Sequence, residues 1–380
     1  MILFHFDNHD QLIRQGKAVI ARFAGRRHVL STAPHLGGYQ SDLKWVFNHD
    51  CKLDGHDQVV LKAPTYAMHM AMIASELGLD PDLAAGISTA ASMDNLSIRT
   101  QTFSDTTVTA AVTAGIDVNG GRAGDPADWH ESDGIFVPAT GTINTMLFIS
   151  ANLTGGAMTN ALVTCTEAKT AALQELLAPS RFSNGIATGS GTDGTIVVSD
   201  AESSVHLTEA GKHSKLGEMI GRTVMAAVKE ALFRQTGLCA ERQFTIFARM
   251  ERFGITKDHL RKQALQSGLT QPQLVEQLAK IDTESSLVVQ ASLYAHLLDQ
   301  LRWRLIRPEE ALQAARALLL QIQMVDADVS AVRSSERMNY STEQVEDPQL
   351  VIQFMVDAFQ QELLELVMRT ERKKCNKIKS

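Results

Sequence analysis

The feature that most limits what this chain can fold into is a change of texture at Gln235-Thr236-Gly237. Before it, short β-rich runs alternate with glycine-rich turns; after it glycine becomes rare, the strand runs vanish and helical periodicity continues to the end. A chain of 380 residues can bury a full core and is long enough for two domains. The expected architecture is an α+β or α/β layered sandwich over residues 1–236, with a mixed, largely antiparallel sheet. An all-helical module over 237–370 and a basic tail over 371–380 are expected to follow.

Six runs read as strands: Lys17–Phe23, His28–Ala33, Gly86–Ala91, Thr106–Ala114, Ile143–Ile149 and Thr195–Ser199. In one of them Val108, Ala110, Val112 and Ala114 alternate with Thr107, Thr109 and Thr113, the period of a half-buried strand. Two helices are predicted among them, from about Gly155 to Leu177 behind Thr154 and from about Lys215 to Phe233 behind Ser214, each hydroxyl serving as N-cap. Beyond Gly237, Thr270 with Pro272, Pro308 with Glu309 and Glu310, and Asp347 with Pro348 mark helix starts, because proline fits the first turn and acids favour the positive end of the dipole.

The formal charge of -7 is uneven: residues 241–380 carry 19 Lys+Arg against 19 Asp+Glu, so all the excess acid lies before them. A nucleic-acid reader shows the opposite sign, and no nucleic-acid partner is expected. Arg372, Lys373, Lys374, Lys377 and Lys379 read as a solvated tail. Cys51, Cys165, Cys239 and Cys375 lie far apart without a CxxC pair, which argues against a disulfide framework or zinc ribbon. The opening MILFHFDNHD is no signal peptide and no run of 18 apolar residues occurs, so a reduced, cytoplasmic protein without a membrane partner is expected.

Between Thr106 and Glu230, dense blocks of small, hydroxyl and charged residues surround the apolar runs. Such residues build poor cores, so this region is expected to be organised around a polar site. Gly189 to Gly194 spells GxGxxG, but a strand rather than a helix follows, so the dinucleotide reading fails on context. What remains is a glycine-rich approach to a strand, with Asp193 either a capping turn residue or a site carboxylate. On the first helix Met158, Leu162, Cys165, Ala172 and Leu176 form an apolar stripe with Lys169 in its middle, while Glu167 points the other way. Lys169 must therefore meet a buried acid or line a cavity. On the second helix Leu216, Met219, Ile220, Thr223 and Ala227 form the buried stripe, opposite Lys215, Glu218, Arg222 and Lys229. Lys215 opposes the dipole and His213 adjoins the free N–H groups of that helix start, an arrangement that an anionic or carbonyl ligand would rationalise. No HExxH or GxSxG occurs; a zinc site would need distant ligands such as Asp193, His213 and Glu218, and no protein-bound metal is expected.

Seven blocks stand in order: STAPHLGG at 31–38, VFNHD at 46–50, VTAGIDVNGGRAGDPAD at 112–128, GTINTMLF at 141–148, TEAKTAAL at 166–173, ATGSGTDGTIVV at 187–198 and GKHSKLGEMIGRTV at 211–224. Together they resemble the adenosylcobinamide amidohydrolase family, the enzymes of corrinoid salvage that cut the amide joining aminopropanol to the corrin ring and release adenosylcobyric acid. The resemblance covers the N-terminal domain only. It implies a hydrolase of a linear carboxamide whose small-molecule partner is a corrinoid, with no cofactor of its own because cobalt enters with the substrate. One departure stands out: family members commonly carry asparagine before the paired glycines of the first block, where Leu36 follows His35 here. Either His35 takes over or the specificity has moved.

Cutting an unactivated amide needs an activated water or nucleophile, donors for the oxyanion and an acid for the leaving amine. Asp193 or His213 is the candidate base, Lys169 with the glycine-rich backbone the oxyanion stabiliser, and His213 or Glu218 the acid, with Lys215 beside them. Asn48, Asn119, Asn144 and Arg122, the last fixed by Asp125, suit the amide-rich rim of a corrin, and His35, His49 and Glu167 complete the binding set. The rival is a non-catalytic corrinoid-binding or regulatory protein whose helices dock a partner; a third reading is an enzyme for another amide or lactam of a macrocycle. The helical module is expected to make a homodimer.

Overall fold

Every residue of the strand Thr142–Ile149 is buried, so the strand needs cover on both faces. The computed structural model, which describes residues 1–52, 61–127, 141–325 and 347–379, supplies that cover with four layers inside the first of two compact units, Met1–Ala240. In chain order this unit runs β1 (Ile2–His5), β2 (Gln11–Gln15), β3 (Ala18–Arg22), β4 (Arg27–Ser31), β5 (Gly38–Gln40), β6 (Trp45–Asp50), α1 (Tyr66–Glu76), β7 (Ala84–Thr89), β8 (Ser97–Phe103) and β9 (Thr106–Gly115). It continues with β10 (Gly120–Gly121), β11 (Thr142–Ile149), β12 (Asn152–Leu153), α2 (Gly155–Glu175), β13 (Gly189–Ser190), β14 (Gly194–Asp200), β15 (His206–Leu207) and α3 (Lys215–Thr236).

The main strands form two sheets, one ordered β1-β2-β3-β6-β7 and one ordered β5-β4-β14-β11-β9-β8. Each is antiparallel apart from a single parallel pair, β6 with β7 and β11 with β14. Alternation of side chains across a strand assigns the layers. Val19, Ala21, Val46, Ala85 and Ile87 from the first sheet meet Ala111, Met146, Phe148, Ile196 and Val198 from the second. On its other face the second sheet packs Val108, Ala110, Val112, Leu147 and Val197 against α2 and α3. The first sheet turns Ala18, Ile20, Phe47 and Ala84 towards Met70, Ile73 and Ala74 of α1. The order of layers is thus helix, sheet, sheet, helices. The half-buried reading of Thr107 to Ala114 is corrected: Thr109 and Thr113 are as buried as their apolar neighbours because a second sheet covers their side.

Local chemistry sets the helix ends where the sequence indicated. Thr154 accepts from the Ala157 N–H at 3.2 Å and Ser214 from the Gly217 N–H at 3.0 Å. The helix α3 stops at Gly237, whose φ of 75° is the left-handed conformation glycine adopts without strain.

The second unit, Glu241–Ser380, is built of α4 (Ile246–Met250), α5 (Lys257–Gln266), α6 (Gln271–Asp282), α7 (Ser285–Arg302), α8 (Pro308–Met324) and α9 (Pro348–Lys379), with no strand among its described residues. It has its own core, in which the Tyr294 hydroxyl donates to the Met355 carbonyl at 2.7 Å. The helix α9 carries a regular backbone through most of the segment read as a tail. No helix among the described residues is long and apolar enough to cross a membrane.

Candidate active site

At one end of the space between the sheets the apolar core gives way to a polar layer. The alternation that turns Met146 and Phe148 into that space also turns Asn144 there, and Asn48 follows Val46 in the same way. Asn144, Asn48 and Thr113 are almost wholly buried. Their side chains satisfy one another: Asn48 Nδ2 donates to Thr113 Oγ1 at 2.8 Å, and Asn144 Nδ2 donates to Asn48 Oδ1 at 2.8 Å and to the Ser88 carbonyl at 2.8 Å. Asn144 Oδ1 accepts from the Gly194 N–H at 2.9 Å, which pins the first residue of β14. A Cβ on Gly194 would lie 2.7 Å from that oxygen, so only glycine fits.

Asp193 precedes this pinned glycine. Its Oδ1 accepts from the Ile143 N–H at 2.9 Å and from Ser190 Oγ at 2.6 Å, and its Oδ2 from the Ser190 N–H at 3.0 Å and from Lys169 Nζ. Both side chains of the Lys169–Asp193 pair are only 13% exposed. Lys169 on the apolar stripe of α2 does therefore meet a buried acid. Gly189 permits the approach, since a Cβ there would stand 2.3 Å from Asp193 Oδ2. The glycines of the GxGxxG string thus admit an ion pair, and four donors hold Asp193 as a loop-ordering anion.

Asp193, Thr192, Thr142 and Asn144 form one wall of a cavity of about 210 Å³. Cys51, Tyr66, His69 and Ser88 line it as well, and of these four the sequence singled out none for the site. The Tyr66 hydroxyl is hydrogen-bonded to Ser88 Oγ, and burial pushes the phenol up from its ordinary pKa. Cys51 Sγ donates to the Thr89 carbonyl at 3.0 Å, and burial pushes this thiol up to about 11, so it remains protonated near neutrality and is no thiolate nucleophile. His69, in the opening turns of α1, is 2% exposed; its Nδ1 accepts from the Lys62 N–H at 3.1 Å. Burial, followed by the charge of Lys62, lowers its pKa. His49 lies across β6 from Asn48; burial, then His69, lowers it to about 4, so it is neutral near pH 7.

Other residues singled out from the sequence have different surroundings. His35 bonds the Pro81 carbonyl at 2.9 Å and is not in the cavity wall, so it has not taken over from the asparagine. Leu36 itself has a φ of 52°, a left-handed conformation that asparagine enters several-fold more readily than most side chains. An asparagine would suit that backbone, whereas Leu36 packs on the inter-sheet core. Asn119 donates to the Gly141 carbonyl at 2.6 Å, and Asp125 accepts from the Arg122 backbone N–H within its own turn at 2.8 Å and from the distant Ser180 Oγ at 2.6 Å, so both tie loops together. Asp128, the last residue of that glycine-rich block, lies outside the described residues. Glu167 pairs with Lys212 at 2.7 Å on the surface.

The expectation that His213, Lys215 and Glu218 join Asp193 is corrected. His213 is exposed, and Lys215 pairs with Glu218 at 2.8 Å while its ammonium sits 4.6 Å from the Phe103 ring centroid. Phe103 lies at the β8–β9 turn, beyond Val108, which pairs with Ile149; the cavity lies at Asn144, which pairs with Thr113. Roughly 20 Å of strand separates the two places at about 3.3 Å per residue. Asp193, His213 and Glu218 therefore share no zinc site, and among the described residues no three His, Cys, Asp or Glu side chains form a metal-holding group.

Residues 4–240 match the family model for adenosylcobinamide amidohydrolase. The chain is also 37% identical, over 238 residues, to an uncharacterized protein of Methanocaldococcus jannaschii, a match covering 60% of this chain and 89% of that relative.

Proposed function

The chain belongs to the adenosylcobinamide amidohydrolase family, and on that premise we propose that it hydrolyses the amide joining the aminopropanol arm to the corrin ring of adenosylcobinamide, releasing adenosylcobyric acid and aminopropanol. The observation that supports this reading is the convergence of distant blocks on one cavity. Thr32 and Pro34, Thr142 and Asn144, and Gly191 to Gly194 line it, while Asn48 and Lys169 each stand one hydrogen bond behind the wall.

About 210 Å³ is less than the roughly 300–1,000 Å³ of a drug-sized site, so it suits the arm and its amide while the macrocycle stays outside. The buried ammonium of Lys169 supplies fixed positive charge near a developing oxyanion. Asp193 is the one carboxylate among the described lining residues. In this reading Ser190 Oγ turns from Asp193 to the substrate, freeing an oxygen that takes a proton from the attacking water and passes it to the departing amine. The protein needs no cofactor of its own, since cobalt arrives with the substrate.

A corrinoid-binding protein without turnover has one observation in its favour, the full occupation of Asp193 by protein donors. Incubation of the purified protein with adenosylcobinamide, followed by mass spectrometry, separates the readings. Adenosylcobyric acid in the mixture supports hydrolysis; tight binding without it supports the rival; neither result leaves both without support.

A further inference from the structure

We propose that His69 is a catalytic residue of this cavity and acts as a neutral hydrogen-bond donor, presenting Nε2–H to the carbonyl oxygen of the substrate amide as that oxygen becomes an oxyanion. The inference rests on the hydrolytic reading above and names a residue that neither the sequence blocks nor the family resemblance singled out.

The tautomer follows from one contact. A backbone N–H only donates, so the Lys62 N–H at 3.1 Å requires a lone pair on His69 Nδ1 and places the ring proton on Nε2. A ring in that state offers Nε2 no lone pair, so His69 is neither the general base nor a metal ligand through that atom. Its remaining function is donation. Among the described residues Nε2 has no hydrogen-bond partner, and the ring is 2% exposed, so the donor is screened from solvent as well. A buried donor without an acceptor is costly, and few survive in folded proteins without a reason. The ring lines the same cavity as Thr142, Asn144 and Asp193, so a carbonyl bound there is an acceptor of the right kind.

The chemistry balances without a proton leaving His69. Water oxygen bonds to the carbonyl carbon, the π pair moves onto the carbonyl oxygen, and the Nε2–H bond to that oxygen shortens as charge develops. The water proton goes to Asp193. When the tetrahedral intermediate collapses the C–N bond breaks, the nitrogen takes that proton, and His69 is unchanged.

The test combines kinetics of the full chain on adenosylcobinamide with nitrogen-15 NMR of histidine-labelled protein. Removing a single oxyanion donor lowers kcat by about 10²–10³-fold, and His69→Ala is expected to fall in that range with KM changed less than about threefold. His69→Gln, which keeps an N–H donor at similar reach, is expected to recover at least tenfold of that loss. The NMR spectrum of the wild type is expected to show a neutral ring protonated on Nε2, a result that a merely structural histidine with another tautomer would not give and that stands even where His69→Ala fails to fold. Wild-type turnover with His69→Ala left within about threefold of it, His69→Gln no faster than His69→Ala, or a ring protonated on Nδ1, overturns the role of His69 while hydrolysis stands. No wild-type turnover overturns the hydrolytic reading and this proposal together.

Discussion

Replacing Asn144 by alanine tests whether the buried amide layer holds the candidate site together. Asn144 makes three hydrogen bonds, at 2.8, 2.8 and 2.9 Å, and its side chain is fully buried. Its loss strands the Gly194 N–H and Asn48 Oδ1 and takes one partner from the Ser88 carbonyl. Each buried polar group left unpaired costs about 1–3 kcal/mol, so the expected loss is roughly 3–6 kcal/mol, a large part of the 5–15 kcal/mol that holds an average domain. In urea, with a slope of about 2–3 kcal/mol/M, the midpoint of the transition reporting residues 1–240 falls by about 1–3 M. The helical unit, which has its own core, provides the internal control if two transitions are resolved by circular dichroism. Asn48→Ala is expected to cost about 1–3 kcal/mol, because Asn144 Nδ2 keeps its bond to Ser88. The double variant is expected to cost less than the two singles summed, by about 1–2 kcal/mol, since both singles break the Asn48–Asn144 bond. An Asn144→Ala loss below about 1 kcal/mol, or strict additivity in the cycle, would refute the reasoning.

Four further outcomes follow from the same geometry. Asp193→Asn leaves Lys169 buried without its anion and is expected to cost about 3–5 kcal/mol and at least a hundredfold in turnover; Lys169→Met added to it should restore stability in thermal unfolding. Gly189→Ala, pressing a methyl against Asp193 Oδ2, is expected to cost about 1–3 kcal/mol by the same measurement. His49 takes a proton near 6.5 when unfolded and only near 4 when folded, so it makes stability fall as pH drops through that window, by at most roughly 3 kcal/mol; denaturation at several pH values should show a flatter profile for His49→Gln. Leu36→Asn is expected to be within about 1 kcal/mol of the wild type because relief at φ 52° offsets lost packing, whereas Leu36→Val, β-branched in the same conformation, should be less stable than either.

Much of the framework was legible because its signals are local. Thr154 and Ser214 cap the helices they were expected to cap, Gly237 ends α3, and the stripe on α2 correctly demanded an acid for Lys169. The division of the strands into two facing sheets was not legible, since β9 alternates small and hydroxyl residues whether its second face meets water or another sheet. The site was half legible. Asn48, Asn144, Lys169 and Asp193 stand in polar, glycine-flanked blocks, but His69 stands in an alanine- and methionine-rich helix where nothing nearby marks it; its one signal is a histidine in the opening turns. His213, Lys215 and Glu218 misled for the converse reason: a charged helix start near glycines resembles a ligand site until its ions are seen paired with one another.

The amide layer beneath the cavity, Thr113 with Asn48 and Asn144, contains no group that gains or loses a proton in the working range of an enzyme. Acid, alkali and salt have no charge to act on within these three side chains themselves. A limb in the pH–rate profile of this protein therefore has its origin outside these three side chains, in the groups around them.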